Sequence, residues 1–272
     1  MNKEFLNNEN NKIEAENCQD APSGLWGCST HIGSKTINED ACRSDCINGW
    51  KVIILADGVG SALRADEASK IAVEAFFDMF RDASNKKRDF SVSVLKDCYH
   101  EASKRLINAA SEATLKEPEL QTTLIAVIET QDSIFITYLG DGDIWLRRGD
   151  GWAIPLMIPH KEGGLLTGGL TGKGIRGNPV FIEYSKSFES GEMVIAGTDG
   201  IFEIEGGIDT VIDELKEMLQ NKKPANSTEF NNMLNELVIH IHQNYRFGDN
   251  ASLGVIVTKN ALSVFEEKRK KI

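Results

Sequence analysis

The stretch Val52-Ile53-Ile54-Leu55-Ala56-Asp57-Gly58-Val59-Gly60 constrains the fold more than any other. Its unbroken apolar run, rich in β-branched residues, predicts a strand buried on both faces. That strand runs straight into Asp57, and a lone carboxylate at the end of a buried strand is costly unless something cationic meets it. Gly58 and Gly60 free the backbone to turn sharply or to offer a carbonyl to a ligand. A single Asp-Gly is an ordinary turn, but the pattern returns. Val194-Ile195-Ala196-Gly197-Thr198 delivers into Asp199-Gly200, and Gly248-Asp249-Asn250 leads into the apolar run Leu253–Val257. Several buried strands that present acids at their ends have the layout of a metal site.

Around these runs the chain alternates strands and helices. Gly24–His31 and Ala41–Ile47 read as strands. Apolar residues at helical spacing predict helices over Ala65–Phe80 and Val92–Lys116, with Pro118 just beyond the second. Thr122–Glu129, Ser133–Leu139, Asp143–Arg148 and Trp152–Leu156 read as strands joined by tight turns. Val180–Tyr184 and Glu192–Thr198 follow as further strands, then helices over Asp209–Gln220 and Ser227–Tyr245. The order predicts an α+β fold, a four-layer sandwich of two antiparallel β-sheets flanked by pairs of antiparallel helices, and argues against a doubly wound parallel sheet. Between 159 and 179 seven glycines crowd into His160–Gly177 without a core pattern, the composition of a flap or insertion. The expected organisation is a disordered arm over 1–21, one domain over 22–258 and an amphipathic tail over 259–272.

A net charge of −11 makes nucleic acid a poor partner and a cation a good one. No apolar run approaches the roughly 18 residues of a membrane span, and the first residues do not resemble a signal peptide. A soluble, cytoplasmic protein is expected. The five cysteines form no C-x-x-C pair. Cys42 and Cys46 have no second Cys/His pair to complete a zinc site, so reduced thiols are expected.

The acids that stand in turns beside apolar strands are Glu39, Asp40, Asp57, Asp141, Asp199, Glu203 and Asp249. Carboxylate oxygens without His or Cys partners suit Mg²⁺ or Mn²⁺. Crowded acids stay ionised together only with positive charge among them.

In order, the stretches Asn38-Glu39-Asp40, Ala56-Asp57-Gly58-Val59-Gly60, Gln121-Thr122-Thr123-Leu124, Gly140-Asp141-Gly142-Asp143, Thr198-Asp199-Gly200-Ile201-Phe202 and Asp249-Asn250-Ala251-Ser252-Leu253 resemble the metal-dependent serine/threonine phosphatases of the PP2C (PPM) family, its bacterial branch above all. The resemblance spans roughly Gly24 to Thr258. It implies hydrolysis of phosphoserine and phosphothreonine through a metal-bridging water, with no covalent phosphoenzyme. It also implies a pair of Mg²⁺ or Mn²⁺ ions with a possible weaker third site. By the same resemblance Asp57 bridges both metals, Gly58 offers its carbonyl to one, and Asp199 and Asp249 hold the other. Glu39 and Asp40 hold metal-bound waters, and Asp141 with Asp199 and Glu203 forms the third site. Lys35 and Asp40 are the expected catalytic residues, and Lys35 and Asn250 are expected at the substrate. Thr122 and Thr123 are expected to pack. The implied partners are a phosphorylated protein substrate and a cognate Ser/Thr kinase, and a monomer is expected.

Two departures from that pattern stand out. Lys35 occupies the place of the family's phosphate-gripping arginine, a cation without the bidentate fork. Val59 stands where some members carry a histidine, and His31 and His160 are the nearest histidines to motif loops. The alternative is a pseudophosphatase, a phosphoprotein-binding module without turnover. A phosphatase acting on a small phosphorylated metabolite is a third possibility.

Overall fold

The computed structural model describes residues 24–86, 89–114, 119–185, 192–246 and 248–258, so the expected arm and tail lie outside the described residues. Strands β1 (Gly24–His31), β2 (Asp40–Ile47) and β3 (Trp50–Asp57) come first, followed by helices α1 (Ala65–Asn85) and α2 (Val92–Glu112). Then come β4 (Gln121–Thr122), β5 (Leu124–Glu129), β6 (Ser133–Leu139), β7 (Asp143–Arg147) and β8 (Ala153–Pro155). The glycine-rich segment holds β9 (Lys161–Glu162), β10 (Leu165–Leu166), β11 (Gly169–Thr171) and β12 (Gly174–Arg176). The chain closes with β13 (Val180–Ser185), β14 (Met193–Gly197), α3 (Asp199–Phe202), α4 (Gly207–Lys222), α5 (Ser227–Tyr245) and β15 (Ala251–Thr258).

Two five-stranded sheets, ordered β1-β15-β14-β7-β8 and β13-β6-β5-β3-β2, are antiparallel throughout. Strand β3 shows why the expected four layers form. Val52, Ile54 and Ala56 pack under α1 and α2 with Phe76, Phe80 and Leu106, while Ile53 and Leu55 point the other way, against Val194, Ala196 and Ile256 of the second sheet. A strand with a helix pair on one face and a sheet on the other has no side that can be polar. The second sheet turns Met193, Ile195 and Val255 toward α4 and α5, which answer with Leu215, Leu234 and Leu237.

The helices form where the apolar spacing puts them, and local signals set their ends. Helix α5 begins as expected at Ser227: the Asn226 side chain accepts from the Glu229 amide at 2.9 Å, and the Glu229 carboxylate accepts from the Ala225 amide at 2.8 Å. The cap satisfies the Glu229 amide, a donor that the first turn leaves open, and the Glu229 carboxylate ties down the residue that precedes the cap.

Several expectations change. The strand expected over Thr122–Glu129 breaks at Thr123, whose amide and hydroxyl are both used by Asp57. Helix α2 stops at Glu112 instead of reaching Lys116. The segment over 159–179 does touch the core: Leu170 is fully buried, and β11 pairs with β4 through Leu170↔Thr122 and Thr171↔Gln121. A dense run of glycines hid that anchor, because a three-residue strand shows no periodicity. Cys46 is disulfide-bonded, so the expectation of reduced thiols fails there, while Cys28 and Cys42 carry free thiols. No helix among the described residues is long and apolar enough to cross a membrane.

Candidate metal centre

Strand pairing puts the first two acids face to face. Asp40 opens β2 and Asp57 closes β3, and the antiparallel register sets them directly opposite each other. Asp141 lies in the turn between β6 and β7, and Asp199 is the first residue of α3, immediately after β14. One carboxylate oxygen from each of Asp57, Asp141 and Asp199 falls within 4.8 Å of the other two. Glycines make this convergence possible. A Cβ on Gly58 would sit 2.3 Å from the Ala65 carbonyl oxygen, and one on Gly200 would sit 2.0 Å from that of Asn250. Both glycines follow site acids, so their missing side chains let neighbouring backbone close on the cluster.

The Asp57 backbone is fixed from both sides. Its carbonyl accepts from the Thr123 amide and the Thr122 hydroxyl, each at 2.8 Å, and its amide donates to the Thr123 hydroxyl at 2.9 Å. The threonines therefore do more than pack: they set the direction in which Asp57 leaves the strand. Asp40 is 3 % exposed. Its Oδ2 accepts from the Thr198 hydroxyl at 2.8 Å and the Ser252 hydroxyl at 2.9 Å. Its Oδ1 is buried without a conventional donor.

The electrostatics follow from this burial. Removal from water, followed by the charges of Asp40, Asp199 and Asp141, drives the Asp57 carboxyl well above its ordinary value. Burial raises Asp40 to about 7 against the opposing pull of its hydroxyl donors. Burial, then Asp141 and Glu203, raise Asp199 to about 6. Asp40 and Asp57 stand opposite each other in the sheet, and after burial the charge of Asp40 is the next cause that holds Asp57 in its protonated form. An all-oxygen donor set, carboxyls forced upward by one another and a buried oxygen with no donor together fit a hard divalent cation.

The remaining expected residues divide. Lys35 lies at the rim with its ammonium 3.1 Å from Asp249 Oδ1, and both side chains are about half exposed. Asp249 therefore stands outside the three-acid group, drawn toward Lys35. Burial raises Glu39, with Lys35 pulling the other way, and its backbone is pinned: the carbonyl accepts from Ser69 Oγ at 2.6 Å and from the Gly58 amide at 3.1 Å. Glu203 is exposed at the end of α3 and contributes only its field to Asp199. Asn250, expected at the substrate, is occupied with backbone groups. It is buried, its Oδ1 accepts from the Glu39 amide at 2.9 Å, and its Nδ2 donates to the carbonyls of Ile32 at 2.8 Å and Ile37 at 3.0 Å. With both N–H groups used, it is the clamp that shapes the Lys35 loop.

Three residues of the site escaped the sequence reading. Thr198 and Ser252 hold Asp40, and Lys161 of β9 places its ammonium 3.3 Å from Asp141 Oδ2 and 3.7 Å from Asp199 Oδ2. Thr198 and Ser252 did carry a signal, since each abuts an acid-bearing turn; Lys161 carried none. His31 packs against His242 with ring centroids 4.7 Å apart, and His160 Nε2 lies 3.0 Å from the Asn178 carbonyl.

The model of the family described as protein phosphatase 2C matches residues 28–246. Among solved structures, the fold is similar to that of the PPM Ser-Thr phosphatase MsPP from Mycobacterium smegmatis, in complex with cacodylate. The two share 20 % identity over 86 % of this chain and 97 % of that one, with a TM-score of 0.65. Serine/threonine phosphatase Stp1 from Staphylococcus aureus matches at 16 % identity over 88 % and 96 % of the two chains, TM-score 0.65. The catalytic domain of the phosphatase PstP, in complex with two manganese ions, matches at 17 % identity over 87 % and 99 %, TM-score 0.62. No curated protein sequence matches the chain significantly.

Proposed function

The chain belongs to the protein phosphatase 2C family, and from that premise we propose that it hydrolyses phosphoserine and phosphothreonine esters of a protein substrate with the help of a pair of Mg²⁺ or Mn²⁺ ions. The observation that carries this reading is the convergence of Asp57, Asp141 and Asp199 to within 4.8 Å, with the buried Asp40 beside them. Asp57 and Asp199 would hold the cations, with Asp249, Glu39 and the Gly58 carbonyl completing the set. Cations bound there would supply a water of lowered pKa and offset the charge of a phosphoryl group in transfer.

The protein's own side chains do the rest. Thr122 and Thr123 aim Asp57, and the hydroxyls of Thr198 and Ser252 hold the Asp40 carboxylate in one orientation. Asp40 acts through Asp57 and not on the substrate, since it is shut away from solvent. Lys35 is the exposed cation at the rim; its salt bridge to Asp249 raises its pKa and keeps it charged, so it can receive a phosphate and orient it.

The alternative, a phosphoprotein-binding module, draws support from the ammonium groups of Lys35 and Lys161 standing among the acids. Turnover decides between the two. Purified protein should release phosphate from p-nitrophenyl phosphate and from phosphopeptides with Mn²⁺ present and not with EDTA, and Asp57→Asn and Asp199→Asn should abolish the release. Undiminished activity in EDTA or in either variant refutes the proposal. Capture of phosphopeptide with no release at any metal concentration favours the binding module.

A further inference from the structure

Lys161 is anchored where it stands. It follows His160, whose amide donates to the Gly140 carbonyl at 2.7 Å and whose carbonyl accepts from the Thr167 amide at 2.7 Å. The backbone at Lys161 is thereby tied to the residue just before Asp141. From that root the side chain, 37 % exposed, reaches across to Asp141 and Asp199. A free lysine side chain gains conformational entropy and hydration by swinging into solvent. This one instead lies in the field of Asp141, Asp199 and Glu203.

We propose that the Lys161 ammonium is a built-in cation serving Asp141 and Asp199, so that the acid cluster loads with a pair of divalent ions and excludes a third. This rests on the metal-dependent phosphatase reading above. An ammonium 3.3 Å from Asp141 Oδ2 and a divalent ion on the same carboxylate would bring like charges within about 4 Å, a strong repulsion in a partly buried site. The contact to Asp199 is longer and uses Oδ2, which leaves Oδ1 of that residue to a metal. The same bond holds the glycine-rich segment down on the centre. Lys161 is thus a positioning residue that acts through Asp141 and Asp199. An amine in this place satisfies Asp141 at any metal concentration, whereas a weakly held ion does so only when metal is abundant.

Manganese stoichiometry tests the idea on the full chain. Free Mn²⁺ would be followed by electron paramagnetic resonance during titration of wild type, Lys161→Gln, Lys161→Arg and Asp57→Asn. The expected result is a pair of ions bound by wild type and by Lys161→Arg, and one more, bound more weakly, by Lys161→Gln. Three ions bound by wild type overturn the inference whether or not Lys161→Gln folds, and so does an unchanged count in a folded Lys161→Gln. Wild type that binds no manganese, or Asp57→Asn that binds as wild type does, overturns the metal-centre reading itself and this inference with it.

Discussion

Replacing Asp40 by asparagine should stabilise the metal-free protein while weakening its hold on metal. Asp40 is 3 % exposed and titrates at about 7, against an ordinary 3.8. At about 1.4 kcal/mol per pK unit, ionising it in the folded state costs ~4 kcal/mol above neutral pH. Asparagine keeps an oxygen for the Thr198 and Ser252 hydroxyls, which now bond to Oδ2. It also turns an N–H toward the place where Oδ1 finds no donor, beside Asp57. A gain of ~2–4 kcal/mol is expected at pH 8 in EDTA, or roughly 4–16 °C in Tm at ~2–4 °C per kcal/mol for a domain of this size.

The pH dependence carries the sign. A carboxyl raised in the folded state holds its proton there after the unfolded chain has lost its own. The Asp40 contribution to wild-type stability is therefore fully present below pH 3.8 and is lost as pH rises toward about 7. The advantage of Asp40→Asn should be near zero at pH 4, ~1–2 kcal/mol at pH 5 and full above pH 7. Thermal unfolding followed by circular dichroism, in EDTA from pH 4 to 8.5, measures it. Added Mn²⁺ should stabilise wild type more than the variant and narrow or reverse the gap. A variant less stable than wild type at pH 8 in EDTA, or a gap that does not change with pH, refutes the reasoning.

Lys35→Ala should shift stability by under ~1 kcal/mol, because its bridge to Asp249 is exposed; it should raise KM for p-nitrophenyl phosphate by ~10-fold or more, with rescue by Lys35→Arg, and an unchanged KM removes Lys35 from phosphate recognition. Gly58→Ala forces a Cβ to within 2.3 Å of the Ala65 carbonyl oxygen and 2.7 Å of that of Glu39. Urea denaturation should show a loss of about 3 kcal/mol, and wild-type stability would mean that the backbone there yields easily. Lys51 is fully buried with its ammonium 2.8 Å from Glu129. Lys51→Met should cost ~3–5 kcal/mol by removing the ammonium that faces that carboxylate, and Lys51→Met with Glu129→Leu should recover most of it; a double variant no better than the single one rules out this account.

The layered fold was legible because its signals are local. Val52–Ala56 reads as a doubly buried strand, and apolar spacing marks the first helix pair. The same runs show where acids would stand: Asp57 and Asp199 each follow an apolar stretch and precede a glycine, and their carboxylates do converge. Only the folded chain determined which side chains complete that site. Asp40 depends on Thr198, 158 residues away, and on Ser252, 212 away. Asn250 was expected at the substrate, yet it spends its amide on carbonyls more than 200 residues upstream. Lys161, in a stretch without periodicity, ends beside Asp141 and Asp199. Periodicity and capping report what a residue does to its near neighbours, so they specify strands, helices and the ends where acids emerge. Partner choice depends on strand register and loop closure across the whole sheet sandwich, and no local stretch of sequence contains that information.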